Sequence, residues 1–244
     1  MRPARPVAFL AACFLAGAAR AGPPFLTDDP EPVEHKHFEW YVFSTVDKAK
    51  DGTQVQAPAF ELNYGFAPNF QAHVVFPFVA SAPKDGPDAY GPGDTEFGVK
   101  YRFLQETPSC PMAGVFPMLE VPTGDADRGL GNGRTWARLP LWLQKSFGPW
   151  TTYGGAGYTI NTAPEQRNYF FAGWLVQRKL SDQLTLGGEV FTQGKTEDSG
   201  QATTFANLGG YYNFTEHFSL LFSAGHSIAD ERHPIGYLGL YWTW

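Results

Sequence analysis

Ser219, Ser223 and Ser227 recur at every fourth position around His226, near the end of a 244-residue chain. A serine hydroxyl and an imidazole are the parts of a nucleophilic hydrolase, provided both share a face with a third group that orients the imidazole. Successive side chains of an extended strand point to opposite faces. His226 therefore lies across the strand from Ser219 and Ser223, and a hydrolase is the third-ranked reading.

Other groupings invite chemistry and fall short of it. His35 and His37 stand near Asp28, Asp29 and Glu34, but their spacing matches no zinc pattern, so they read as a solvated polar leader. "GDADRGLGNGRT", residues 124–135, suggests a phosphate loop. Arg128 occupies the place of its first glycine and Arg134 that of its lysine. Asp125 and Asp127 lack the remaining ligands of a calcium loop. Cys110 has no motif around it. No enzyme activity, metal site or cofactor is expected.

The chain's chemistry then depends on its strands. In "EFGVKYRF", residues 96–103, Phe97, Val99, Tyr101 and Phe103 alternate with Glu96, Gly98, Lys100 and Arg102. One face is apolar and the other charged. A soluble sheet would turn the apolar face inward, whereas a membrane barrel would turn it to lipid.

Composition favours strands: 16% of residues are aromatic, and 27 Gly and 20 Pro supply turns. The longest apolar run lies between Val7 and Ala19, behind Arg2 and Arg5 and before Ala19-Arg20-Ala21. This is the pattern of a cleaved secretory signal over 1–21. "LAAC", residues 10–13, is the lesser alternative, a lipoprotein box, because an apolar tail follows it. Loss of Arg2, Arg5 and Arg20 would leave 15 basic against 24 acidic residues and move the net charge from −6 to −9. That balance argues against nucleic acid as partner. Cys13 would leave with the signal, so no internal disulfide can form.

Twelve strand-like segments follow, near 37–46, 54–66, 69–80, 94–104, 113–122, 135–147, 150–161, 168–180, 183–194, 202–214, 216–226 and 234–244. Most have the length of a tilted bilayer-crossing strand. Short links such as Ala67-Pro68-Asn69, "TPSCP" and Gly148-Pro149 alternate with longer polar loops such as "DKAKDGT" and "GKTEDSGQ". Short turns facing the periplasm and long loops facing outside mark an all-β, antiparallel up-and-down barrel of the outer membrane. The barrel is expected over 37–244, as a monomer in outer-membrane lipid. Residues 22–36 precede it as a periplasmic leader or a partial plug. Trp242 and Trp244 end the last strand and read as the signal for the outer-membrane assembly machinery.

The same alternation assigns a lumen. Glu39, Glu61, His73, Glu96, Lys100, Arg102, Glu120, Arg138, Gln177 and Glu189 fall on inward positions, with Asn63, Gln71, Gln144, Asn207 and Tyr211. In a wet lumen these charges would stay solvated or paired at little cost. They would form either an ion-pair network that fills the barrel or a selectivity surface for a small-molecule solute. Twelve strands lie between the filled eight-stranded barrel and the open sixteen-stranded channel.

"PFLTDDPEPV", "GDTEFGVKYRF", "LEVPTGDADRGLGNG", "LPLWLQKSFGPWTTYGGAGY" and "LTLGGEVF" resemble a family of Gram-negative outer-membrane proteins. It is the transporter group related to the MetA-pathway of phenol degradation proteins, and the similarity runs over nearly the whole mature chain. The resemblance implies a β-barrel and uptake of small compounds, aromatic ones included. It supplies no binding or catalytic residues. The expected function is a passive channel for small solutes, with a non-conducting structural or surface-interaction barrel as the alternative.

Overall fold

The computed structural model describes residues 24–229 and 233–244. The proposed signal segment, 1–21, lies outside the described residues. The strands are β1 (Phe38–Lys48), β2 (Gly52–Ala67), β3 (Phe70–Pro83), β4 (Ala89–Pro92), β5 (Thr95–Leu104), β6 (Met112–Val115), β7 (Met118–Val121), β8 (Trp136–Phe147), β9 (Trp150–Asn161), β10 (Tyr169–Lys179), β11 (Leu184–Gln193), β12 (Thr203–Asn213), β13 (Phe218–Ser227) and β14 (Pro234–Thr243). Every pairing between them is antiparallel, and β14 pairs with β1, which closes the sheet into a barrel.

These segments fill twelve wall positions. β4 and β5 share the place beside β3, and β6 and β7 share the place between β5 and β8. The sequence pattern predicts one strand over 113–122. It is broken at Phe116-Pro117, where the proline has no N–H for the ladder. A second departure is at "DKAKDGT". The β1–β2 ladder continues through Asp47↔Gln54 and Lys48↔Thr53, so only residues 49–51 remain as a turn. Conversely, the link around "TPSCP" spans 105–111 and is not tight. Connection length alone therefore alternates less cleanly than the sequence suggests.

The two faces follow the expected reversal. In β5, Phe97, Val99, Tyr101 and Phe103 are exposed, while Lys100 is only 4% exposed. Leu139, Leu141, Trp174, Val190, Leu208 and Leu238 continue the exposed apolar band on other strands. Stacked aromatic pairs edge this band at the rim of the tight turns: Phe38 with Tyr64, Phe70 with Tyr101, and Phe218 with Trp242. Such girdles sit where a barrel wall meets the membrane surface. Trp244 stacks on Phe38, and the two residues exchange backbone hydrogen bonds of 2.9 and 3.2 Å. Val99→Arg would put a charge on this outer band at a cost of about 2–4 kcal/mol. It is expected to lower folding yield into lipid vesicles, read by heat-modifiable mobility. Native yield would place Val99 on the wet side.

The inner face is only partly wet. Phe116, Trp142, Phe171, Phe191 and Phe205 form a buried cluster against one inner wall. Tyr41, Phe43, Ala59, Leu221 and Tyr241 form a second.

Candidate functional site

Residues 24–36 thread into the barrel from the tight-turn rim. His35 forms a bridge with Gly65 at that rim, and a Cβ at Gly65 would stand 2.0 Å from the carbonyl oxygen of Glu34. Deeper in, the Val33 N–H donates to Gln71 Oε1 at 2.9 Å. Glu31 lies 3.8 Å from Arg102 and accepts from Gln144 at 3.4 Å. Asp28 lies 3.1 Å and Asp29 3.7 Å from Lys100 Nζ. The N–H groups of Leu26 and Thr27 each donate at 2.8 Å to the two oxygens of Glu189. Ser223 Oγ donates to the carbonyl of Pro24 at 2.6 Å. Thr27 and Asp29 are fully buried. The segment is thus seated as a plug, with the N–H groups of Leu26, Thr27 and Val33 donating to barrel side chains.

Of the two expected states, solvated or paired, Lys100 takes the second: it is a buried cation held between two plug carboxylates. Burial raises the Asp29 carboxyl well above its usual value, against the opposing pull of Lys100. Burial also raises Glu31, against Arg102. Glycine makes room for the plug as well. A Cβ at Gly173 would stand 2.2 Å from Thr27 Oγ1, and one at Gly114 would stand 3.0 Å from Pro30.

The other proposed lumen residues also face inward. His73 Nδ1 is 2.7 Å from Asn63 Oδ1, and its Nε2 is 3.0 Å from Glu96. Asn63 Nδ2 donates to Glu61 at 2.8 Å, and Glu61 lies 3.5 Å from His73. Glu120 accepts from the Trp136 indole at 2.7 Å. Glu39 accepts from Tyr241 at 2.7 Å and Tyr41 at 3.1 Å. Glu189 also takes a bond from Asn207 at 3.0 Å. Gln177 is buried and faces the tight-turn mouth. Arg138 lies with its guanidinium 4.0 Å from the ring centre of Phe171.

Two spaces remain in the barrel, one of them lined in part by the plug residues Pro24, Phe25, Leu26 and Asp28. A cavity of about 450 Å³ on the long-loop side is lined by Glu61, His73, Glu96, Glu120, Arg138 and Trp142. A mouth of about 430 Å³ at the tight turns is lined by residues such as Thr151, Gln177, Thr185 and Tyr211. The loop after β7 is pinned to Asp94, one of the residues that line the first space. Asp94 accepts from the N–H groups of Gly124 and Asn132 at 2.8 and 2.6 Å, and Leu130 is buried. Asp125 and Asp127 lie in this loop, which turns through a short 3-10 helix over Ala126–Arg128.

The hydrolase parts are not assembled. Ser219 donates to Asn213, Ser223 to Pro24, and Ser227 accepts from the His233 N–H, all facing inward. His226 is exposed on the opposite face. His35 and His37 are exposed at the rim, and among the described residues no cluster of three His, Cys, Asp or Glu is arranged to hold a metal. Cys110 is an exposed free thiol.

Sequence reasoning missed the plug ligands Asp28, Asp29 and Glu31, which no strand parity reaches. It also missed the inner aromatics, although parity was available. Trp142 shares a face with Arg138 and Gln144, and Phe191 shares one with Glu189. An apolar residue at an inward position reads as an interruption when a lumen is defined by polarity alone.

The family model described as "Putative MetA-pathway of phenol degradation" matches residues 38–243. No curated protein matches the chain. Among solved structures, the COG4313 outer membrane channel from Pseudomonas putida F1 is similar with a TM-score of 0.69 at 18% identity, over 88% of this chain and 98% of that one. The NanC porin is similar with a TM-score of 0.58 at 8% identity, over 83% and 98%. The translocator domain of the autotransporter NalP from Neisseria meningitidis gives 0.55 at 11% identity, over 86% and 89%. At these identities the likeness is one of fold.

Proposed function

The chain belongs to the MetA-pathway of phenol degradation family, and from that premise we propose that it is an outer-membrane channel for passive passage of small solutes, aromatic or hydrophobic ones among them. The observation that carries this reading is a cavity of about 450 Å³ against the seated plug inside a closed barrel, with a further space at the tight-turn mouth. A purely structural barrel gains nothing from such spaces. The aromatic girdle and exposed apolar band support residence in a membrane, with the tight turns and the plug on the periplasmic side. The family description names a phenol pathway, and inner aromatics beside a cavity suit a small ring. The similar Pseudomonas putida protein is titled an outer membrane channel. In this reading the plug sets conductance, because it fills the half of the lumen between Gln71, Lys100 and Glu189.

Purified, folded barrel in planar bilayers is expected to give small, discrete single-channel openings. If neither the native chain nor a variant with a weakened plug conducts, the non-conducting surface barrel is the correct reading.

A further inference from the structure

Among the described lumen charges, one has neither an ion pair nor a hydrogen bond. Glu39, Glu61, His73, Glu96, Lys100, Arg102, Glu120 and Glu189 each have a polar partner. Among the described residues Arg138 has no hydrogen bond and no ion pair. Its Nε is buried without a partner, and one face of its guanidinium rests on Phe171 at 4.0 Å, with Phe191 at 5.6 Å. Stacking on a ring holds the planar group in place but leaves its N–H donors unfilled. The buried Nε costs folding energy while it stays unfilled, and Arg138 as a whole is half-buried and lines the cavity, within reach of a ligand. Two other orphan donors line the same cavity: Trp142 Nε1 and Tyr237 Oη.

We propose that Arg138 is the anchor of a ligand subsite in the long-loop cavity, and that its ligand is a small apolar monocarboxylate. A guanidinium presents two parallel N–H donors that match the two oxygens of a carboxylate. Beyond it the cavity offers Phe116, Met118, Trp142, Val75 and Ile235, which suit an apolar body. At about 450 Å³ the space takes a single-ring molecule. Glu96 and Asp28 act on the guanidinium through space, but neither pairs with it directly, since Glu96 is held by His73 and Asp28 by Lys100. They do select the ligand. Their negative charge disfavours a second carboxylate, hence a monoacid. The site gives the channel reading its solute class, but its test does not need conductance.

The experiment is equilibrium binding to the full mature barrel in detergent, followed by calorimetry and by tryptophan fluorescence, with benzoate, cyclohexanecarboxylate, phenol and benzylamine. Native barrel is expected to bind both acids saturably, and phenol and benzylamine at least tenfold more weakly. Arg138→Gln should weaken acid binding at least tenfold. Arg138→Lys, which keeps the charge and loses the fork, should fall between. Heat-modifiable mobility checks that each variant is folded. If Arg138→Gln does not fold, the four-ligand comparison on native barrel decides alone. Equal affinity for phenol and benzoate, no saturable benzoate binding, or unchanged benzoate binding in folded Arg138→Gln would each overturn the proposal. Benzoate binding by a barrel that never conducts would remove the channel reading and leave the site standing.

Discussion

Lys100→Gln is expected to open the barrel. The ammonium lies 3.1 Å from Asp28 and 3.7 Å from Asp29, and Asp29 is fully buried. Removing one member of a buried ion pair leaves the other uncompensated, at about 3–5 kcal/mol. The loss falls on the seated state alone, because a released plug returns Asp28 and Asp29 to water. The ratio of seated to released plug should drop by about two to three and a half orders of magnitude. Single-channel recording should show larger and longer openings than native. The effect also has a pH sign. Burial raises the Asp29 carboxyl when the plug is seated, so the seated state holds a proton more tightly than the released one. Reseating is therefore favoured as pH falls, and openings should become more frequent as pH rises through the seated-state value. Native-like conductance from Lys100→Gln at every pH would show that this pair does not hold the plug.

That result differs from what the sequence alone suggests for the same substitution, a change of ion selectivity at little cost. Alternation in "EFGVKYRF" gives the direction of the Lys100 side chain correctly, since period two is a local property of a strand. It carries no information on what stands opposite. The partners, Asp28 and Asp29, come from 72 and 71 positions earlier in a stretch with no periodicity. "GPPFLTDDPEPVEHK" is acidic and proline-rich and reads equally well as a leader. Its role becomes visible only when Glu189, Lys100 and Gln71 are brought together by barrel closure. The wall itself was legible because each strand repeats the same polar-in, apolar-out rule. The rule failed at Phe116-Pro117, where a proline interrupts the ladder, and at Asp47-Lys48, where polar residues continue it past the apolar band. Arg138 shows the same limit from the other side. Its inward direction follows from parity, whereas its lack of a partner depends on where every other inward charge found one.

Glycine at 173 gives the plug its depth, and filling it should unseat the segment without touching any charge. Gly173 lies on the inner face of β10 between Gly155 and Phe191 of its neighbours. An added Cβ would meet Thr27 Oγ1 at 2.2 Å and Thr27 Cβ at 3.2 Å, with Phe191 Cδ2 at 2.8 Å. Thr27 has no room to yield, since its N–H is fixed to Glu189 at 2.8 Å and its side chain is fully buried. Moving it by the ångström needed stretches both backbone bonds to Glu189. Overpacking of this kind costs about 1–3 kcal/mol, so Gly173→Ala should shift the seated fraction about 5- to 150-fold toward release. The expected readout is increased open probability in planar bilayers with normal heat-modifiable folding. Thr27→Gly in the same chain removes both Thr27 atoms from the clash and should restore most of the native closure. The Phe191 contact remains and sets how much is left unrestored. If Gly173→Ala opens the barrel and the double variant opens it equally, the aromatic wall and not the plug has moved. If Gly173→Ala conducts like native barrel, Thr27 does not seat against β10.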